Sequence, residues 1–317
     1  MSLHFAPHYK YGRMDINEDK YMENYWQDKK FIASGFKMNR EDISSKLYPK
    51  KAQPFIMKQG DNIFIYYELY DESQNWEIGV LVTSANNFPN GEWKNYEKIL
   101  VKSQQQETPD KNHIADPTVI YYNNQFHMWF DMCDSHWTLG HATSDDGIHW
   151  NKQNIKRITT ISLDIGTEKE WDSMWVHAPE VFVYNGELRF IYNGTDLITK
   201  NYSSGRMRLE NPDNLDSKFV KLGRVTYPNS LSVGKASRLF APFWYKDKLW
   251  AVLSSLGEPV TDNYPRLFYF VTSDNGGKTW EEVGQVPGNL WLHSFLNHNG
   301  KLWAVDHGEQ HIYYLEE

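Results

Sequence analysis

Short apolar and aromatic runs broken by compact polar turns recur along this chain, and five of them share one layout. Gln53-Pro54-Phe55-Ile56-Met57 leads to a turn at Gln59–Asn62, Asp116-Pro117-Thr118-Val119-Ile120 to Asn123-Asn124, and Ala178-Pro179-Glu180-Val181-Phe182 to Asn185-Gly186. Arg238-Leu239-Phe240-Ala241-Pro242 turns at Lys246-Asp247, and Trp291-Leu292-His293-Ser294-Phe295 at Asn297–Gly300. A second apolar run follows each turn. Runs of this length, rich in β-branched and aromatic residues, predict strands. Asn-Gly and similar pairs supply the positive φ that tight hairpins require. Aligned on their turns, Pro54, Pro117, Pro179, Phe240 and His293 are equivalent, and the repeat is roughly 50–60 residues long.

A second marker follows downstream. Val82-Thr83-Ser84, Ala142-Thr143-Ser144 and Val271-Thr272-Ser273 each end a third strand. Each precedes a turn with Gly and Trp: Gly91-Glu92-Trp93, Gly147-Ile148-His149-Trp150 and Gly276-Gly277-Lys278-Thr279-Trp280. Ser and Asp in such turns tie the loop to its own backbone, and the Trp is placed to pack between sheets. The third unit has Leu209-Glu210-Asn211-Pro212-Asp213-Asn214 instead and reads as a degenerate copy.

Units of this size holding about four strands are propeller blades. The pattern therefore predicts an all-β, five-bladed β-propeller forming one domain over residues 1–317, with blades starting near Gln53, Asp116, Ala178, Arg238 and Trp291. The stretch around Phe31–Met38 is expected to complete the last blade and close the ring, with a short helix expected within residues 14–30.

Composition adds to this picture in three places. Thirteen Trp, 20 Tyr and 16 Phe make up 15% of the chain. Inter-sheet packing explains most of them, and the remainder offer flat faces for sugar rings. A net charge of −8 without a Lys/Arg cluster argues against a nucleic-acid partner, and no apolar run approaches the ~20 residues of a membrane span. Cys133 stands alone, so the fold does not rest on an internal disulfide. The first residues lack the basic and apolar regions of a secretory signal; this fits a cytoplasmic protein, or a secreted one whose signal has been removed.

Three phrases carry a resemblance: Ala115-Asp116-Pro117-Thr118-Val119-Ile120-Tyr121-Tyr122, Gly140-His141-Ala142-Thr143-Ser144-Asp145-Asp146-Gly147-Ile148-His149-Trp150, and Ala178-Pro179-Glu180-Val181. Over roughly residues 50–310 the chain resembles the five-bladed propeller glycoside hydrolases of families 43, 32, 117 and 130 and their unclassified relatives. Ser273–Trp280 resembles the structural Asp-box of sialidases, with Asn275 in place of the usual Asp. The resemblance implies an oligosaccharide or polysaccharide substrate and a central pocket to which the first three blades each bring a carboxylate. Cleaving a glycosidic bond takes one carboxylic acid to protonate the leaving oxygen and one carboxylate to activate water or attack carbon.

Carried onto this chain, the resemblance makes Asp116 the base or the sugar-orienting carboxylate. It makes Glu180 the general acid, its pKa raised by apolar neighbours. Blade one departs from the pattern: Ala52-Gln53-Pro54 stands where those families have Ala-Asp-Pro. Gln53 cannot act as a base, so a non-catalytic carbohydrate-binding propeller is the alternative, and a six-bladed sialidase-like propeller is a third reading. Sugar-binding candidates are Gln53, Asp172 as a third carboxylate, Trp175 as a stacking platform, and His177, Arg238 and His293 by register. Arg238 serves equally as a counter-charge for the carboxylates or in an inter-blade ion pair, and His177 as a pocket or a core histidine. His113 and Asp134 read as surface. No metal and no cofactor is expected, because the 12 His show no tight ligand spacing.

Overall fold

The computed structural model describes residues 37–41, 51–70, 76–103, 108–134, 137–151, 171–199, 201–215, 217–228, 236–256, 266–307 and 311–316. The expected helix within residues 14–30 and most of the stretch 31–38 lie outside these residues. Among the described residues, apart from two short 3-10 turns at Ala85–Asn87 and Pro287–Asn289, the regular structure is all strand.

The strands form five antiparallel groups of four. After β1 (Lys37–Glu41), the first blade is β2 (Lys51–Gln59), β3 (Asn62–Tyr70), β4 (Trp76–Ser84) and β5 (Lys94–Leu100). The second is β6 (His113–Tyr122), β7 (Gln125–Cys133), β8 (Trp137–Ser144) and β9 (Trp150–Asn151). The third is β10 (Trp175–Tyr184), β11 (Glu187–Thr195), β12 (Tyr202–Leu209) and β13 (Phe219–Arg224). The fourth is β14 (Ala236–Tyr245), β15 (Lys248–Leu256), β16 (Arg266–Ser273) and β17 (Glu281–Gln285). The fifth is β18 (Leu292–His298), β19 (Lys301–Asp306) and β20 (Ile312–Glu316), completed by β1 from the opposite end of the chain, in the order β1-β20-β19-β18. The closing strand is therefore Lys37–Glu41, at the downstream end of the stretch read from the sequence.

Five apolar clusters cover the five seams between blades. Phe64, Tyr66 and Ile78 of the first blade meet Met128 and Phe130 of the second, and the last seam joins Ile56 and Ile65 to Trp303 and Ile312. Each inner strand packs on the next, and β18 packs on β2, so the ring closes at five. That geometry rules out the six-bladed reading. Middle strands lie between two neighbouring sheets, which explains the near-continuous apolar run of β3, where Ile63 through Tyr67 are all buried. Burying each such side chain stabilises the fold by about 1.5–3 kcal/mol.

The Gly-Trp turns tie the blades together. Ser144 Oγ accepts the Gly147 N–H at 2.9 Å, and Asp146 Oδ1 accepts the Ile148 and His149 amides at 2.8 and 2.7 Å. Gly147 has φ +76°, and its carbonyl accepts both Trp150 Nε1–H and the Tyr66 hydroxyl of the preceding blade. In the fourth blade Asn275 Oδ1 accepts Lys278 and Thr279 amides at 3.1 and 2.9 Å, so the amide oxygen does what the Asp-box carboxylate does.

Candidate functional site

The inner strands share a second feature, a bulge near their starting ends. Gln53, Asp116, Ala178 and Ala241 have φ of 50°, 50°, 49° and 51°, and each stands directly before a proline. The register slips across each of these pairs. A bulge breaks the ladder and re-aims local groups. In the fourth blade it lies two residues nearer the hairpin turn, so Pro242, not Phe240, is the bulge counterpart of Pro54, Pro117 and Pro179. Counting back from the turn could not detect that shift.

A bulge leaves an amide without a ladder partner, and here the preceding blade supplies one. His307 Nδ1 accepts the Gln53 N–H at 3.3 Å. Glu68 accepts the Asp116 N–H, Asp131 accepts the Ala178 N–H, and Glu180 accepts the Ala241 N–H. Glu68 and Asp131 hold equivalent places, opposite Ala52 on β3 and Ala115 on β7. Both are buried, and neither stood out in the sequence motifs.

These ties gather ionisable groups around Asp116. Its carboxyl is hydrogen-bonded to that of Asp131, and it interacts electrostatically with Glu68, Glu180 and Arg238. One oxygen each of Asp116 and Asp131 and one ring nitrogen of His177 lie within 4.8 Å of one another, a set that could hold a cation. Burial pushes the Glu180 carboxyl up to about 8, with the charge of Asp116 adding to the effect and the Ala241 amide opposing it. Burial also raises Asp116, opposed by the Asp131 hydrogen bond and by Arg238. His177 is held well below its ordinary value by burial and by Arg238. Burial lowers His293 to about 4 despite a hydrogen bond to the Pro54 carbonyl.

Several buried polar atoms in this region have no protein partner: Gln53 Oε1, Glu68 Oε2, Asp116 Oδ1, His177 Nε2 and His293 Nε2. Buried polar atoms are normally satisfied, and such a concentration is what a site completed by ligand or water leaves behind. Arg238 lies 4.0 Å over the Tyr202 ring, and His177 meets that ring edge-on at 5.9 Å. Trp175 opens β10, half-buried and on the side of the strand that His177 occupies. His293 stands among Phe240, Trp291 and His307.

Asp172 is not part of this group. It is buried in an ion pair with Lys221 of β13 at 2.9 Å and accepts the Tyr192 hydroxyl at 2.8 Å, so its charge is used to fasten the outer strand of the third blade. His113 opens β6 in a cluster with Trp76 and Trp137, at 5.0 and 6.0 Å between ring centres. Asp134 follows β7, its backbone carbonyl accepting the Asn112 side-chain amide.

No family model matches the chain. Uncharacterized protein MT1551 of Mycobacterium tuberculosis (strain CDC 1551 / Oshkosh) is 22% identical over 146 residues, 44% of this chain and 45% of that protein, so the match spans less than half of either. Solved structures align far more extensively. Zg3597, a family 117 glycoside hydrolase from Zobellia galactanivorans, superposes with a TM-score of 0.61 at 12% identity, over 91% of this chain and 92% of that one. The RS223 beta-xylosidase gives 0.57 at 16% identity over 84% and 92%, and a glycosyl hydrolase from Bacteroides ovatus 0.60 at 8% over 84% of each. At these identities the likeness speaks for the fold, and that fold is the five-bladed propeller of the glycoside hydrolases.

Proposed function

We propose that the chain is a glycosidase that cleaves a glycosidic bond in an oligosaccharide or polysaccharide, with Asp116 and Glu180 as its essential pair, and that residues 1–317 form one propeller domain. The observation that carries the reading is the pairing itself. Glu180 is a buried carboxyl held protonated at neutral pH, and Asp116 interacts with it while facing the Arg238 guanidinium. Burial raises both carboxyls, but the Asp131 hydrogen bond and the Arg238 charge oppose the rise at Asp116, drawing it toward the charged form that a base or sugar-orienting role uses. Glu180 donates its proton to the leaving oxygen, and Asp116 activates water or orients the sugar. Gln53, His177, Arg238 and His293 bind hydroxyls, and Trp175 stacks on a ring.

Gln53 supports the second reading, a propeller that binds carbohydrate without cleaving it. Its buried Oε1 can accept a sugar hydroxyl but cannot take up the proton of an attacking water. Screening the full chain against aryl glycosides and plant, algal and bacterial oligosaccharides decides between the two. On the hydrolase reading some substrate turns over, and Glu180→Gln lowers the rate by ~10²–10⁴-fold while sugar binding persists. Equal activity in wild type and Glu180→Gln would move the acid elsewhere. Binding without turnover would favour the second reading.

A further inference from the structure

Arg238, near the opening end of β14, lays its guanidinium carbon 4.0 Å over the Tyr202 ring, and His177 meets the same ring edge-on. The side chain is half-buried, so water reaches it. Among the described residues it forms no ion pair and no hydrogen bond, and Asp116 acts on it through its field alone. Burial pushes Glu68, Asp131 and Glu180 toward their uncharged forms, so these acids do not draw on its charge either. An arginine laid on an aromatic face is held in plane and keeps its N–H donors at the edge of the fork. Such a fork without a protein partner is set to receive an anion.

Position says which anion. Trp175 and Arg238 each stand three residues before the bulge residue of their own inner strand, Ala178 and Ala241, and the two strands pack side by side. Tyr202 marks the junction of the two blades, where it pairs with Ala236. The third and fourth blades thus offer a half-buried indole and a cationic fork at one level. We propose that Arg238 binds the carboxylate of an acidic sugar, a uronic acid unit whose ring lies on Trp175. A carboxylate is planar and meets a guanidinium through two parallel hydrogen bonds, and the apolar face of a sugar ring suits an aromatic platform. The inference rests on the carbohydrate reading above and narrows its substrate class, with a carboxylate in place of a hydroxyl on Arg238; it does not depend on turnover.

Calorimetric binding to the full chain tests it with matched pairs. Tri-galacturonate, an alginate trisaccharide and an aldouronic acid from glucuronoxylan are each compared with their carboxyl-reduced neutral forms, and a sulfated galactan oligosaccharide serves as a further anion. At least one acidic member is expected to bind about tenfold or more tightly than its neutral partner, as hydrogen bonds to a charged group allow, and to weaken as salt rises. Arg238→Gln removes the difference within that pair, and Arg238→Lys, which keeps the charge without the fork, retains only part of it. If Arg238→Gln fails to fold, Arg238→Lys carries the test, and a preference equal to wild type would then count against the proposal. Neutral partners bound as tightly as the acidic ones, an undiminished preference in Arg238→Gln, or a sulfated ligand bound more tightly than every uronate would each overturn it and leave the carbohydrate reading standing. Absence of binding by every saccharide would overturn both.

Discussion

Asp131, in the middle of β7, receives the Ala178 amide of the next blade on both carboxylate oxygens, at 2.9 and 3.0 Å. The contact joins two blades through one backbone feature. Ala178 at φ 49° has left its own ladder, and the blade before it supplies the acceptor. Asp131→Ala should therefore cost about 1–3 kcal/mol, the penalty for a buried donor left without an acceptor, because the Ala178 amide is left bare. Asp131→Asn, which keeps an acceptor oxygen, should recover much of that loss. Chemical denaturation of the two variants checks the order; equal stability of Asp131→Ala and wild type would remove the tie from the account.

Two buried groups should give the fold a stability maximum on the acid side of neutrality. Glu180 has its folded pKa raised from 4.5 to about 8, so it favours the folded state most when protonated. That contribution is complete below about pH 4.5 and declines as pH rises through about 8. His293 has its folded pKa lowered from 6.5 to about 4, so its contribution is complete above 6.5 and declines as pH falls through about 4. Melting temperature followed from pH 4 to 9 should peak between these limbs. Glu180→Gln should flatten the alkaline limb, and His293→Asn the acid one.

Ring closure by β1 makes a separate prediction. Lys37 through Glu41 pair with Glu316 through Ile312, so the amino-terminal strand is the edge of the last blade. A chain beginning after residue 41 would leave β20 as a bare edge, the kind of surface that pairs with other chains. Such a truncation should melt lower and elute partly as aggregate in size-exclusion chromatography. A monomeric truncation of unchanged Tm would mean that closure rests on the β18–β2 packing alone.

The blades were legible in the sequence because hairpin turns and Gly-Trp turns recur in the residues themselves. Both kinds of turn depend on local backbone chemistry, which needs no knowledge of distant contacts. The buried cluster of ionisable groups was half legible. Asp116 and Glu180 announced themselves beside prolines, but Glu68 and Asp131 sit mid-strand in Asn62–Tyr70 and Gln125–Cys133, where no motif marks them. A lone acid inside an otherwise apolar run was the available clue, because a carboxylate buried on both faces must have a partner. Asp172 misled for the opposite reason. It resembled a pocket acid, and only the three-dimensional fold reveals Lys221 beside it. The shifted bulge of the fourth blade was hidden because turn counting assumes equal strands.

Gln53→Asp is the most informative single substitution, because Gln53 holds in the first blade the bulge position that Asp116 holds in the second. Gln53 is buried, with Oε1 unpartnered and its N–H given to His307. A carboxylate placed there gains no nearby cation from these contacts, so the variant should melt lower than wild type, and more so at pH 8 than at pH 5. Its effect on chemistry separates the two functional readings. If the chain is a working glycosidase, wild type turns over some member of the glycoside panel, and the variant changes that rate without being required for it. If the chain is a sugar-binding propeller, wild type is inert and Gln53→Asp acquires measurable turnover on a glycoside that wild type merely binds. We expect the first outcome. An inert wild type beside an active Gln53→Asp would refute it and identify the missing base as the single chemical difference between binding and cleavage.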